Sequence, residues 1–215
     1  MNKAAGAALI MTALFLPGCG RYSYPPSEVI FEDVYYFEGM ENMEFDFRAD
    51  STLTVSQKGI YELEKDGGGE AVVRICLDDI SRELPEDYNF TEYTARREDG
   101  HIILTFTSEE FSLDTNPMKL TPLQGEDGLL SGKRFDGTYQ IGEDGDSYQY
   151  IFKEDGSAVL QVKEYYNAQK DGSLVLADHA GRTNYMYESS GDTLVIKNRK
   201  GELILALVKK AGADE

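Results

Sequence analysis

Tryptophan is absent, and cysteine and histidine occur only twice each. The lack of tryptophan excludes nothing by itself. The scarcity of histidine does. His101 follows the turn glycine in DGHIILTF, and His179 sits in the loop-like ADHAGR. Neither has H-x₃-H spacing or a neighbouring cysteine, so no zinc-type site is expected. Two cysteines are too few for a disulfide framework. Basic residues are also scarce: 21 Lys and Arg stand against 39 Asp and Glu, a formal net charge of −18. Such a chain repels nucleic-acid phosphates and an anionic membrane surface alike. It gains solubility from the same charge. No G-x-S-x-G or S-x-x-K nucleophile setting occurs. The glycines of Asp66-Gly67-Gly68-Gly69 are not followed by a P-loop lysine. No catalytic residue, metal ligand or cofactor is therefore expected.

What is present begins at the N-terminus. Lys3 precedes an apolar run from Ala4 to Leu16, then Leu16-Pro17-Gly18-Cys19. The run is short for a membrane-spanning helix and has the layout of a secretory signal peptide. Small residues before a cysteine resemble the bacterial lipobox. That resemblance implies cleavage after Gly18, lipid (diacylglycerol, with palmitate as the label that would report it) on the Cys19 thiol, and export to the extracellular side of the cell membrane. Residues 1–18 would then be removed, leaving 215 − 18 = 197 residues and taking Lys3 with them, so the charge becomes −19. With Cys19 lipidated, only Cys76 remains, and no intrachain disulfide can form. Cys76 lies in the strand-like AVVRICL and reads as a small buried apolar residue. Residues 19–28 form the tether, which Pro25-Pro26 extends. Its ten or so residues reach about 30 Å at most, at ~3.3 Å each.

The strongest local pattern is Tyr148 to Val162. Tyr148, Tyr150 and Phe152 alternate with polar residues before Asp155-Gly156. Ala158, Leu160 and Val162 alternate after it. A period of two on both sides of Asp-Gly predicts a hairpin. A three-residue loop, 154–156, sets Phe152 opposite Ala158, Tyr150 opposite Leu160 and Tyr148 opposite Val162. Every apolar residue then shares one face, and Gly156 takes the left-handed position. Subtracting 105 from these numbers lands on Phe47, Leu53, Phe45 and Val55, another alternating hairpin, with Ser51 where Gly156 stands. A second pair, YTARREDGHIIL from Tyr93 and YMYESSGDTLVI from Tyr185, is offset by 92. The difference of about 13 matches the excursion LDDISRELPE from Leu77, whose Leu77, Ile80 and Leu84 have helical spacing up to Pro85.

The expected fold class is all-β: two small antiparallel β-barrel or sandwich domains related by internal duplication. The expected division is a first domain over 29–115, a linker over 116–133 rich in Pro and Gly, a second domain over 134–210, and a tail over 211–215. One larger barrel using both halves is the alternative. FDGTYQ opening a strand, then YIFKEDGSAVL, YMYESSGDTLVI and a last strand ending VKK, resembles the lipocalin-like β domains of unknown function in lipoproteins of Gram-positive gut bacteria. The resemblance covers about Phe135 to Lys210, and 28–115 more loosely. It implies a barrel-like fold and an exported, anchored setting, with no catalytic residues to transfer.

Three further features have functional readings. The acidic loop Gly142–Ser147 could offer oxygens to Ca²⁺, but lacks the EF-hand order and trailing Glu. Paired carboxylates such as Asp78-Asp79 and Glu109-Glu110 suit glycoside chemistry, yet 39 acids generate such pairs by chance. Tyr148, Tyr150, Tyr185 and Tyr187 fall on alternating positions. They read either as core packing or as the aromatic lining of a ligand site in a barrel mouth. The expected function is a non-enzymatic, membrane-anchored surface lipoprotein acting as a binding or interaction module, with an envelope protein or a small apolar ligand as partner. The alternatives are a lipocalin-like carrier of a small apolar ligand and an extracellular hydrolase acting on glycan or envelope.

Overall fold

The computed structural model of the chain describes residues 27–65, 71–78, 88–107, 117–123, 137–141, 148–177 and 181–210. Within them the protein is all-β and antiparallel. The strands are β1 Val34–Phe37, β2 Met40–Phe47, β3 Thr52–Lys65, β4 Ala71–Cys76, β5 Thr91–Glu98, β6 His101–Phe106 and β7 Met118–Pro122. They continue with β8 Gly137–Ile141, β9 Tyr148–Phe152, β10 Ser157–Ala168, β11 Ser173–Ala177, β12 Arg182–Ser190, β13 Thr193–Lys197 and β14 Leu203–Lys209. Each strand pairs with its neighbours in sequence, β14 returns to β1, and β3 also pairs with β10.

The chain divides into two compact units, and the division is not the linear one expected. Unit 1 combines 27–56 with 162–210, and unit 2 is Gln57–Gln161. Unit 1 is a closed ring of β1, β2, the start of β3, the end of β10, and β11 to β14. It closes where Tyr36 pairs with Val208, and where the Tyr166 N–H donates to the Ser51 carbonyl at 2.9 Å. Unit 2 is a closed ring of the rest of β3, β4 to β9, and the start of β10. Its closing bond runs from the Tyr61 N–H to the Gly156 carbonyl, at 2.8 Å.

The boundary expected at 116–133 falls inside unit 2. Residues 118–122 of that stretch are β7, with Leu120 fully buried and paired to Ile102 on one side and Ile141 on the other. Pro122 is tolerated because it ends its strand. The strand of the second hairpin that holds Leu53 and Val55 runs on through Ile60–Glu64 as one continuous strand of 14 residues. The polar segment between them is built in. Gln57 is buried and its amide donates to the Leu77 carbonyl at 2.8 Å. A Cβ on Gly59 would lie 1.9 Å from the Cys76 carbonyl oxygen, so only glycine lets β4 approach there. Cys76 itself is fully buried, as its apolar surroundings predicted. The helical spacing from Ile80 to Pro85, His179, Gly142–Ser147 and Cys19 all lie outside the described residues.

Both hairpin registers follow the expected three-residue loops. The Lys153 N–H donates to the Ser157 carbonyl at 2.9 Å and the Gly156 N–H to Lys153 at 3.0 Å; Gly156 has φ 84°. The Arg48 N–H donates to Thr52 and the Ser51 N–H to Arg48, at 2.9 and 3.0 Å, and Ser51 has φ 64°. Phe47, Leu53, Phe45 and Val55 are buried in unit 1, and Phe152, Ala158 and Tyr150 in unit 2. Burying each large apolar side chain stabilises its unit by about 2 kcal/mol. The second repeated pair also keeps its register: Glu98 faces His101 across Asp99-Gly100, and Ser190 faces Thr193 across Gly191-Asp192.

Candidate functional site

A recurring turn organises the aromatic residues. Arg48–Thr52, Lys153–Ser157 and Gln169–Ser173 have the same backbone bonds and an aspartate in the middle. In each, the aspartate Oδ1 accepts from the N–H and the hydroxyl two residues on: Asp50 from Thr52, Asp155 from Ser157, and Asp171 from Ser173. These bonds favour the charged carboxylate. The Thr52 side chain and then its N–H hold Asp50 below its ordinary pKa, and Ser173 does the same for Asp171.

Each turn is braced by a tyrosine from the strand beside it in the sheet. Tyr166 Oη donates to the Arg48 carbonyl at 2.9 Å, Tyr61 Oη to Lys153 at 3.1 Å, and Tyr187 Oη to Gln169 at 2.9 Å. The N–H of each tyrosine donates to the fourth residue of its turn, Ser51, Gly156 or Gly172. The first two braces are 105 residues apart in every member: 48 and 153, 51 and 156, 61 and 166. Their ring contacts match as well. Tyr166 meets Phe47 edge-on at 5.1 Å, and Tyr61 meets Phe152 edge-on at 5.0 Å.

The four alternating tyrosines, read from the sequence as core packing or as one lining, are divided between the units. Tyr148 and Tyr150 belong to unit 2, Tyr185 and Tyr187 to unit 1. Tyr150 is buried, stacked on Phe152 at 5.3 Å, and burial pushes its hydroxyl pKa far upward. Tyr148 is half-buried at the start of β9. Tyr185 is buried opposite Leu174; burial raises its pKa, with Thr183 opposing and the Glu164 charge adding. Tyr187 spends its hydroxyl on the Gln169 brace. Packing thus accounts for Tyr150 and Tyr185, and bracing for Tyr187.

Sequence reasoning missed the densest aromatic cluster, at one end of unit 1. Residues 27–33 precede β1 and belong to no strand, apart from one bridge between Val29 and Ala168. The Glu28 and Val29 N–H groups both donate to the Ala168 carbonyl, at 2.9 and 3.1 Å. Ser27 Oγ donates to the Tyr166 carbonyl at 3.1 Å and accepts from the Ala168 N–H at 3.2 Å. This strap places Phe31 between three rings: Phe47 at 5.1 Å and Tyr187 at 5.2 Å, both edge-on, and Tyr166 stacked at 5.7 Å. Tyr35 completes the cluster, edge-on to Phe47 at 5.8 Å. The signal that could have found it was Tyr166 in KEYYNA, where period two continues past Val162. Glu164 disguises that pattern, because it occupies an inward position and is fully buried.

Charged groups gather on outer faces. Arg74 lies between Glu64 at 3.0 Å and Glu92 at 2.9 Å, and Glu92 raises its pKa most, through a side-chain hydrogen bond. Lys209 pairs with Asp33 at 2.7 Å. Among the described residues, Glu164 is the only fully buried carboxylate, and no group of three His, Cys, Asp or Glu is placed to hold a metal. His101 Nδ1 lies 3.1 Å from Thr121 Oγ1 in a strand contact. No family model matches the chain, and no curated protein or solved structure matches it.

Proposed function

We propose that the protein is a lipid-anchored, non-enzymatic binding or interaction module on the outer face of a cell envelope. In this reading it is held through Cys19 and built as two lipocalin-like units by internal duplication. One observation carries the binding-module reading: each unit fills its own interior. Met43, Phe45, Phe47, Leu53, Leu174 and Leu194 are fully buried in unit 1, and Ile102, Leu104, Leu120, Tyr139 and Phe152 in unit 2. An eight-stranded ring is just wide enough for its side chains to fill, so recognition is left to surfaces and mouths. Among the described residues, the large apolar side chains that are exposed, including Tyr165, Met186, Leu203 and Val208, belong to unit 1.

The duplication is supported by the shared register of the hairpins and by the braces 105 residues apart. Each unit then mixes the repeats. The opening strands of one repeat are completed by the later strands of the other. The lipid anchor rests on the LPGC motif alone.

Two measurements test this reading. Radiolabelled palmitate should enter the chain in a lipoprotein-processing host and fail to enter Cys19→Ser; absence of label from the unsubstituted chain sinks the anchor. Native mass spectrometry of the soluble form from Gly20 onward should give the bare chain mass. A stoichiometric added mass that leaves on denaturation would move the assignment to the carrier alternative.

A further inference from the structure

We propose that the aromatic mouth of unit 1 is a binding site for a small planar apolar group, and that Phe31 occupies it in cis as a displaceable plug. The proposal extends the binding-module reading and rests on it. The walls are Phe47, Tyr166 and Tyr187, rigid rings from β2, β10 and β12. Tyr166 and Tyr187 are fixed from behind by their bonds to the Arg48 and Gln169 carbonyls. Such a set of preorganised rings, stacked on one side and edge-on on two others, is what a flat apolar ring binds best.

The occupant differs from the walls in kind. Phe31 comes from the strap, not from a strand. The strap is held by Ser27, Glu28 and Val29 on Ala168, by Glu28 Oε2 accepting from the Lys170 N–H at 3.2 Å, and by the Phe31 N–H donating to the Tyr166 hydroxyl. Glu32, the next residue, has φ 44°, a left-handed backbone that a non-glycine residue adopts at a cost. Ile30, on the other side of Phe31, is 44% exposed. The strap is thus bent to insert one ring while leaving another large apolar side chain in solvent. Releasing it relieves that bend and breaks bonds that water can replace; the strap also bonds the wall backbone, through Ser27 Oγ on the Tyr166 carbonyl and the Asp33 carbonyl on the Phe47 N–H, but the Tyr166 and Tyr187 hydroxyls keep their bonds to the Arg48 and Gln169 carbonyls without it.

A site closed by its own chain binds with the intrinsic affinity multiplied by the fraction of molecules that are open. Loosening the strap without emptying the core therefore tightens binding. The test uses the soluble form from Gly20 onward and N-phenylnaphthylamine as the probe, read by fluorescence. Three chains are compared: unsubstituted, Ser27→Ala/Glu28→Ala, which loosens the strap, and Phe31→Ala, which removes the plug. The unsubstituted chain should bind weakly and saturably. The loosened strap should bind several-fold tighter, and Phe31→Ala about tenfold tighter or more. Hydrogen exchange at the Val29 amide should accelerate on binding to the unsubstituted chain. Binding by Phe31→Ala alone would mean an engineered cavity and overturn the proposal. Equal affinity in all three chains, or no binding in any, would overturn it as well. If Phe31→Ala fails to fold, the double strap variant decides. Palmitate labelling and native mass are unaffected by either result, so failure here is separable from failure of the anchored-module reading.

Discussion

Ser51 holds a left-handed backbone, φ 64°, in a turn whose counterpart carries Gly156 at φ 84°. A non-glycine residue there costs about 1 kcal/mol or somewhat more. Ser51→Gly should therefore raise stability by about 1 kcal/mol in urea unfolding, and Gly156→Ser should lower it by a similar amount. An unchanged midpoint in both would show that neither turn limits stability. Gly59 is constrained by space instead. Gly59→Ala drives a Cβ into the Cys76 carbonyl, and should cost about 1–3 kcal/mol through the backbone shift it forces. The titrating residues act at both ends of the pH scale. Asp50 and Asp171 have pKa values lowered in the fold from an ordinary 3.8, so their contribution is complete above 3.8 and fades as pH falls through the folded values. Burial raises Tyr150, Tyr93, Tyr185 and Tyr166 above 10.0. The folded form keeps these protons where the unfolded chain loses them, so stability falls as pH rises above 10.0. Phenolate absorbance should then appear together with loss of far-ultraviolet strand signal; phenolate from all 14 tyrosines with the fold intact would contradict this.

The braced turn is the element the chain reuses. Tyr61→Phe and Tyr187→Phe each remove one hydroxyl and keep the ring, and should cost about 1 kcal/mol apiece. Tyr166→Phe should cost more, about 2 kcal/mol, because its hydroxyl also accepts from the Phe31 N–H. Equal losses at all three, by denaturant titration, would remove the strap bond from the account. The hairpins themselves were legible without the structure. Alternation and a left-handed loop residue settle register, since a slip by one residue turns every apolar side chain to the wrong face. The bracing was not legible, because a tyrosine 92 or 118 residues from its turn leaves no local trace. Tyr187 lies only 18 residues from the turn it braces, yet its alternation with Tyr185 let it be read as a lining residue. Its position on the inward stripe is a sequence property, whereas the partner of its hydroxyl is a tertiary one.

At the scale of the molecule, both ends of the chain are needed for unit 1, and unit 2 is inserted between them. Cutting the chain does not therefore release two independent folds. A protease site introduced between positions 124 and 133, within the boundary 116–133 read from composition, should leave the two fragments associated once it is cut. The two fragments should co-elute on size exclusion and separate only in denaturant, since β3 remains bonded to β10 in each unit. Two folded fragments eluting apart would refute the arrangement.

Taken alone, the order of residues determined the class of structure, most strand positions, the turn conformations and both hairpin registers. Each of these depends on neighbours within a dozen residues, where side-chain period and backbone sterics act directly. It also carried the 105-residue correspondence, which is a comparison of the chain with itself. Only the tertiary structure decided which strands close which ring, that β7 lies inside unit 2, and that Phe31 meets Phe47, Tyr166 and Tyr187. Those pairings join residues as far as 174 positions apart, as between Tyr35 and Lys209. They are selected by which apolar faces can be buried together, a property of the folded molecule that no local pattern encodes.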